Sequence, residues 1–331
     1  MTDTPYTLSR TGAVGPTGLD SVSDHPGYAR VFQPDRLTFG LIAPLEGYPD
    51  APWPTLEHHV AAARQVDALD FAAIWLRDVP FYDPSFGDTG QVIDAFVYAG
   101  WLAAQTNRIA IGTAGIVSPL RDPLIVAKQA TSLDRLTGGR FILGLATGDR
   151  PSEFAAFGSD ISNRVERYRD ALEVIRAATE TAFPRHQSRF YGALDGTLDL
   201  LPKPVAPRLP ILAIGRAGQD FNWIGDNTDG WIWHLSDPNR LPAVLQEWRA
   251  GSSAFRPYGY GTMFDLLTDP HAPLEINRSG MRGGRLALIE HWQRQRDEGV
   301  NHVALNMKPL RRPYGEAIDE IAEHILPVFA G

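Results

Sequence analysis

The sequence of 331 residues contains no cysteine. Disulfide bonds, thiolate catalysis and zinc–thiolate sites are therefore excluded, and a reducing compartment fits this composition. The N-terminus has no basic segment followed by an apolar one, and no apolar run approaches the roughly 20 residues that a membrane span needs. We therefore expect a cytoplasmic protein that has no membrane partner.

An excess of positive charge is also missing. Lys and Arg number 31 against 39 Asp and Glu, so the formal net charge is −8. A surface of this sign is unfavourable for binding the phosphates of nucleic acids. We therefore expect no nucleic-acid partner.

Several local catalytic motifs are absent as well. The chain has no phosphate-binding Gly-x-x-x-x-Gly-Lys-Ser/Thr, no His-Glu-x-x-His and no Gly-x-Ser-x-Gly. His58 and His59 are adjacent on a predicted helix, where neighbouring side chains point about 100° apart and cannot share one ion. The acidic spacing around Asp83 and Asp88 matches no complete calcium loop. No metal site is predicted, although residues remote in sequence could still assemble one.

What the sequence does contain is a repeated alternation of apolar strands and amphipathic helices, which follows an irregular arm over residues 1–36. The predicted strands are 37–43, 72–76, 109–113, 141–146, 211–214, 230–233, 262–267 and 302–307. The predicted helices are 55–69, 94–105, 122–136, 163–182, 220–227, 242–250, 285–298 and 315–325.

Such alternation is typical of an α/β protein with a parallel sheet, and eight units predict a (β/α)₈ TIM barrel over residues 37–331. Irregular insertions are expected after the fourth strand, over 184–208, and after the seventh, over 268–284. A doubly wound open sheet is the alternative, but its Gly-x-Gly-x-x-Gly signature does not follow the first strand. In a barrel, the active site lies at the carboxyl ends of the strands.

Four predicted strands end in a polar or glycine-rich segment. The second ends in Arg77-Asp78, the third in residues 113–115, the fourth in 147–150 and the fifth in 215–220. Small residues let a backbone approach a ligand closely, and free N–H groups at a helix start favour an anion. We therefore expect a polar, anionic ligand at this end of the barrel.

Two long segments carry a resemblance to a known family. "TSLDRLTGGRFILGLATGD", residues 131–149, resembles the fourth-strand signature of luciferase-like flavin-dependent monooxygenases, and "IGRAGQDFNWIGDNTDGW", residues 214–231, resembles their phosphate loop and following helix. "DVPFYDPSFGDTGQ", "LLPKP" and "GVNHVALNMK" resemble a bacterial subgroup of that family. The resemblance covers about residues 25–329 and implies a (β/α)₈ barrel with one non-covalent FMN, or deazaflavin F420 in a sister branch.

By position, the resemblance also implies which residues contact the cofactor. These candidates are Ala114, Gly115, Ile116, Thr147, Gly148, Arg150, Arg216, Ala217, Gly218, Gln219 and Asp220. The first three match a bulge against the flavin ring, where family members often have a non-prolyl cis peptide, and the others match the two walls of the phosphate site. Asp220 departs from the family's usual Ser or Thr. A carboxylate beside a phosphate is repulsive unless Arg150 or Arg216 supplies a cation between them. The alternative is that Asp220 only caps its helix.

Three further polar residues at strand ends are candidates for catalysis. Arg77 and Asp78 can contact the ring or transfer a proton, or they can form an ion pair at the barrel mouth. His234 can act as a general acid or base, or it can be a solvated or capping residue. Trp231 and Trp233 share one face of a strand, either in the barrel core or along an aromatic pocket.

The expected function is that of an FMN-dependent monooxygenase. A separate flavin reductase would supply reduced FMN, which with O₂ oxygenates a small organic substrate. The alternatives are hydride transfer linked to F420 or NAD(P)H on the same barrel, and a non-catalytic flavin-binding protein. The acidic tail of F420 would favour a more basic groove than a chain of charge −8 offers. We expect loops 78–91 and 184–208 to select the substrate, and we expect a homodimer.

Overall fold

The computed structural model describes residues 21–234, 240–250, 252, 254–277 and 280–330. Its helices are α1 (Pro26–Val31), α2 (His59–Ala68), α3 (Ala95–Gln105), α4 (Pro123–Leu136), α5 (Pro151–Ala156), α6 (Arg164–Glu180), α7 (Phe221–Asn227), α8 (Leu241–Arg249), α9 (Arg285–Glu298) and α10 (Tyr314–Glu320). Its strands are β1 (Thr38–Ile42), β2 (Ala73–Leu76), β3 (Ala110–Thr113), β4 (Ile116–Val117), β5 (Phe141–Ala146), β6 (Arg185–Gln187), β7 (Ala193–Asp195), β8 (Ile211–Ile214), β9 (Gly230–His234), β10 (Tyr258–Leu266), β11 (Glu275–Asn277), β12 (Gly280–Gly283) and β13 (His302–Asn306).

Eight parallel strands close into a barrel. The order around the ring is β1, β2, β3, β5, β8, β9, β10 and β13, and β13 pairs back onto β1. Helices surround the ring because each parallel connection has to return across the outside of the sheet. The predicted (β/α)₈ barrel is confirmed, and the open-sheet alternative is wrong. Among the described residues, no helix combines the length and apolar character that crossing a bilayer requires.

The indole of Trp75 packs against two barrel glycines and a buried histidine. A Cβ at Gly112 would lie 2.3 Å from the ring of Trp75, and one at Gly40 would lie 2.9 Å from its Nε1. The Trp75 Nε1 donates to His302 Nε2 at 2.8 Å, and the other ring nitrogen of His302 lies 2.7 Å from Thr38 Oγ1. Burial lowers the pKa of His302 to about 3, so this imidazole is neutral at pH 7.

The arm before β1 is not irregular throughout, since part of it forms α1. The His25 side chain caps this helix by accepting the Tyr28 N–H, and His25 Nε2 lies 2.8 Å from the buried Asp134 carboxylate. Tyr28 Oη donates to the Asp229 carbonyl at 2.6 Å, just before β9. The helix therefore docks on the amino ends of the barrel strands. Residues 1–20 of the arm lie outside the described residues.

Other element boundaries also differ from the sequence prediction. Helix α2 begins at His59 rather than at 55, because the Thr55 N–H donates to the Glu46 carboxylate at 2.6 Å and Leu56 has φ +57°. Each insertion predicted as irregular contains an antiparallel hairpin, β6–β7 in the first and β11–β12 in the second. The last helix ends earlier, at Glu320, and continues as a π-helical turn over 321–325.

Candidate active site

The carboxyl end of β3 forms a tightly packed bulge. The peptide between Ala114 and Gly115 is cis. A Cβ at Gly115 would lie 2.6 Å from Ile214 Cγ1, and one at Gly144 would lie 1.9 Å from the Thr113 carbonyl oxygen. The close approach that these two glycines allow is therefore between neighbouring protein segments.

Asp78 accepts hydrogen bonds from Val117 and Arg121, in the segment that follows the bulge. Its Oδ2 accepts the Val117 N–H at 3.0 Å and Arg121 Nε at 2.9 Å, while its Oδ1 accepts Arg121 Nη2 at 2.5 Å. Arg121 Nη2 also donates to Asp94, the N-cap of α3, at 2.7 Å. With its side chain 5% exposed, Asp78 links the end of β2 to β4. This geometry favours positioning of the bulge over proton transfer. The candidate Ile116, next to Val117, is fully buried in the main hydrophobic core.

Arg77 turns towards loop 78–91 and forms a two-point ion pair with Asp88 there. Arg150 approaches the same residue, since its Nη1 donates to the Asp88 carbonyl at 3.3 Å and its Nη2 lies 3.9 Å from the carboxylate. Burial alone would raise the pKa of Asp88, but the charge and hydrogen bonding of Arg77, with the Gly90 N–H and the charge of Lys308, outweigh burial and lower the pKa. Asp88 thus joins two predicted site residues, and the sequence patterns did not single it out for this role.

Further contacts fasten loop 78–91 over the strand ends. Lys308, which follows β13, donates to the Gly87 carbonyl at 2.7 Å. Ser152 of α5 donates to the Asp83 carboxylate at 2.7 Å. These bonds tie the loop to segments that follow β5 and β13, so the loop has the position of a lid.

The second loop expected to select the substrate lies elsewhere. In segment 184–208, Ser188 Oγ donates to Asp170 of α6 at 2.6 Å, and the Lys203 carbonyl accepts Arg135 Nε of α4 at 2.7 Å. The segment therefore packs along the helices that surround the barrel. These contacts bind it to α4 and α6, so they do not support the expected role in selecting the substrate, which stays a prediction.

Three buried polar atoms at the carboxyl end have no hydrogen-bond partner of good geometry among the described residues: Tyr48 Oη, Arg77 Nε and Glu153 Oε1. The Tyr48 hydroxyl does lie close enough to the Arg77 guanidinium to interact with it, so the Glu153 oxygen is the clearer of these cases. Burial raises the pKa of Tyr48 to about 12, against the effect of the nearby Arg77. Burial also raises the pKa of Glu153, against the effect of Arg150 at 3.7 Å. Unsatisfied buried groups cost about 1–3 kcal/mol each, so their clustering favours a polar ligand or water here. Sequence reasoning missed Tyr48 and Glu153, since neither belongs to a local catalytic motif.

The β8–α7 loop presents a guanidinium on a rigid support. Gly215, Ala217 and Gly218 have φ values of +70°, +51° and +70°. The half-buried Arg216 stacks over the Phe221 ring at 4.1 Å. Among the carboxylates of the described residues, none forms an ion pair with Arg216, whereas Arg77 and Arg150 both approach acidic partners. Arg216 is therefore the better placed of these arginines to receive an external anion.

The next two residues hold the loop itself together. Gln219 Oε1 accepts Arg169 Nε at 2.5 Å, and Gln219 Nε2 donates to the Ala217 carbonyl at 3.0 Å. Asp220 is the N-cap of α7, and its Oδ1 accepts the Trp223 N–H at 2.8 Å. The alternative in which Asp220 caps its helix thus agrees with the structure.

The remaining candidates lie at the ends of β5 and β9. Thr147 follows β5 and is partly buried, and Gly148 has φ +78° with its Cβ position 2.6 Å from Val117 Cγ1. His234 is exposed at the end of β9 and precedes residues 235–239, which lie outside the described residues.

Trp231 belongs to the packing between the barrel and its helices. Its ring lies 4.9 Å from Phe221 of α7 and 5.4 Å from Trp248 of α8, and it is fully buried. Its Nε1 donates to the Gly215 carbonyl at 3.0 Å, which anchors the β8–α7 loop. Trp231 is therefore core outside the barrel ring, and it does not line a substrate pocket.

Comparisons with known sequences identify a family and several relatives of this chain. The family model described as luciferase-like monooxygenase matches residues 37–263. The uncharacterized protein Rv0940c of Mycobacterium tuberculosis (strain ATCC 25618 / H37Rv) is 30% identical over 201 residues, which cover 56% of this chain and 68% of that protein. The 4-hydroxyprotoasukamycin monooxygenase of Streptomyces nodosus subsp. asukaensis is 30% identical over 189 residues. That match covers 56% of this chain and about half, 49%, of that relative.

Solved structures share the fold at low sequence identity. The monooxygenase RslO1 from Streptomyces bottropensis has a TM-score of 0.73 at 18% identity, over 88% of this chain and 99% of that chain. An F420-dependent secondary alcohol dehydrogenase, solved with an F420-acetone adduct, has a TM-score of 0.72 at 18% identity over the same shares. The oxygenating constituent of 3,6-diketocamphane monooxygenase from Pseudomonas putida, solved with FMN, scores 0.67 at 12% identity, over 88% and 98%. The fold is thus shared by proteins that use either cofactor.

Proposed function

The chain belongs to the luciferase-like monooxygenase family, and from this premise we propose that it uses reduced FMN and O₂ to oxygenate a small organic substrate. The observation that carries the proposal is Arg216, a supported cation beside a glycine-rich loop and without an acidic partner among the described residues. A guanidinium in this setting suits the doubly charged phosphate that ends FMN. When bound, reduced FMN would supply the electrons that activate O₂.

The residues at the carboxyl end of the barrel are of the types that would hold such a cofactor. Arg216 and the backbone of 215–218 would hold the phosphate, with the Thr147 hydroxyl as a second donor. Arg150 would contribute less charge, because Asp88 and Glu153 already lie within 4 Å of it. The Ala114–Gly115 bulge, held by Asp78, would support the ring.

The other polar groups at the carboxyl end of the barrel would serve the substrate rather than the cofactor phosphate. Loop 78–91 would exclude water from the strand ends, and excluding water prevents side reactions of reactive groups there. Glu153 has a raised pKa and an unsatisfied oxygen, so it can hold a proton there. Arg77 would anchor the closed loop through Asp88, and the exposed His234, at the end of β9, stays a candidate general acid or base.

Cofactor titration tests this proposal and separates it from its alternatives. We expect FMN to bind, and we expect R216A to weaken FMN binding about 10- to 100-fold, because one charge-assisted contact is lost. R296A is the matched control, since Arg296 stacks over Phe329 at 6.0 Å on α9, away from the phosphate loop. The measurement is quenching of flavin fluorescence.

Three outcomes would count against parts of the proposal. Equal FMN affinity in R216A and the parent chain would remove the phosphate site from this loop. Binding of F420 without FMN would favour the hydride-transfer alternative. FMN binding without O₂ uptake, when a flavin reductase and NADH are supplied, would favour a non-catalytic flavin-binding protein.

A further inference from the structure

The insertion between α6 and β8 places a histidine against two acidic residues of α6. In the β6–β7 hairpin, His186 pairs with Leu194, and both are partly buried while the flanking residues of each strand are exposed. Alternation therefore directs both side chains to the covered face of the hairpin. Asp170 and Glu173 are three residues apart on α6 and so lie on the same side of that helix.

Potential metal-ligand atoms of these three residues converge. One atom from each of Asp170, Glu173 and His186 can be chosen so that all three lie within 4.8 Å of one another. The His186 Nε2 is also buried and has no hydrogen-bond partner among the described residues. Leaving a buried ring nitrogen without a hydrogen-bond partner costs free energy, so a bond to a further group would stabilise the folded chain here.

Hydrogen bonds within the chain already fix the orientation of the Asp170 carboxylate, as binding a metal ion would require. It accepts Ser188 Oγ at 2.6 Å, the Phe190 N–H at 2.8 Å and the Arg189 N–H at 3.2 Å. An ionised carboxylate can accept about four hydrogen bonds, so one more bond is available. Hydrogen bonds to a ligand of this kind orient it and raise the affinity of a metal site. Glu173 is exposed and free to adjust its rotamer.

We propose that His186, Asp170 and Glu173 bind one divalent transition-metal ion, which fastens the β6–β7 hairpin to α6. Two carboxylates balance the charge of the ion, and an imidazole favours zinc, cobalt or nickel over magnesium and calcium. Bonds to such an ion are about 2.0–2.2 Å long, so the three ligands would move closer together and water would complete the coordination. The site is independent of the flavin chemistry proposed for the barrel mouth.

Zinc titration of the full chain tests the site. After treatment with a chelator, we expect one zinc ion to bind per chain and to raise the midpoint of thermal unfolding. H186A should lower zinc affinity at least about tenfold, since losing even an outer-shell partner has an effect of this size. H58A is the matched control, because His58 is an exposed histidine 4.0 Å from Glu57 and should leave zinc binding unchanged. Cobalt should give a visible absorption band that H186A lacks.

A second variant keeps the test decisive if H186A fails to fold. E173Q changes an exposed residue and should keep the metal-free circular dichroism spectrum and unfolding midpoint. A loss of zinc affinity in folded E173Q supports the proposal. Unchanged zinc affinity in folded H186A or E173Q overturns it, as does the failure of the parent chain to bind zinc at a ratio of one.

Discussion

The two ends of the barrel share eight strands but are closed in different ways. The amino end is closed by α1 and the residue after it, whose Tyr28, Val31 and Phe32 pack in one apolar cluster with Trp75. The carboxyl end is covered by loop 78–91, which is held mainly by charges, such as the ion pair of Arg77 with Asp88. Apolar packing has to expose its surface to water when it opens, whereas an ion pair can be rehydrated. The first closure therefore supports stability, and the second is suited to admitting ligands.

Truncating a side chain of the apolar cluster at the amino end should have the largest effect on the free energy of unfolding. Phe32 is 3% exposed and its ring meets His302 edge-on at 6.0 Å. We expect F32A to lower the free energy of unfolding by about 3–5 kcal/mol, because it leaves a cavity in a closed core. V97A serves as the control, since Val97 is 67% exposed and should change stability by less than about 0.5 kcal/mol. Urea denaturation measures both, and similar losses in the two variants would contradict the comparison.

Acid should have the next largest effect on the stability of the fold. Burial lowers the pKa of His302 to about 3 and that of His291, helped by Arg294, to about 4. The unfolded chain binds protons on these residues below about pH 6.5, while the folded chain does not. Stability should therefore fall as pH drops from about 6.5 towards 4, by at most about 1.4 kcal/mol per pH unit for each histidine.

The variant H302Q isolates one part of that slope. Urea denaturation at pH 7.5 and at pH 5.5 should show a smaller loss of stability in H302Q than in the parent chain. An identical slope in H302Q would mean that His302 does not resist protonation in the folded barrel.

Loosening the lid should have the smallest effect on global stability. In D88N, loop 78–91 loses its charge pairing but can move into solvent and rehydrate Arg77, so we expect a loss of about 1 kcal/mol or less. The loop itself should be cut faster by a protease under native conditions. D50N is the control, since Asp50 forms an exposed ion pair with Arg311. Equal cleavage rates in D88N and D50N would show that Asp88 does not hold the lid.

The correct predictions depended on local signals. Asp122 and Asp94, the first residues of two predicted helices, are the N-caps of α4 and α3, and β5 spans Phe141–Ala146 as predicted. Helix α1 was missed because it has only six residues and owes its stability to docking, with Tyr28 bonded to a residue 201 positions away. Helix α2 starts late because Glu46, nine residues before Thr55, binds its backbone.

The candidate site shows the same division between local and remote information. Strand alternation put Trp231 and Trp233 on one face, and their rings lie 5.5 Å apart, but alternation could not tell which layer that face meets. Polar strand ends correctly indicated where charges collect. They did not indicate Asp88 or Glu153, whose importance comes from the arginines that approach them.

From the amino-acid order alone one can deduce the eight barrel strands, the helices that alternate with them, their order and the end of the barrel at which polar residues gather. Periodicity and capping carry this information, because they act between residues a few positions apart. Only the folded chain decides that Asp78 binds Arg121, that Asp88 binds Arg77, and that Arg216 is left without an acidic partner among the described residues. The physical reason is that charge pairing depends on distances of about 4 Å in space, which closure of the barrel sets.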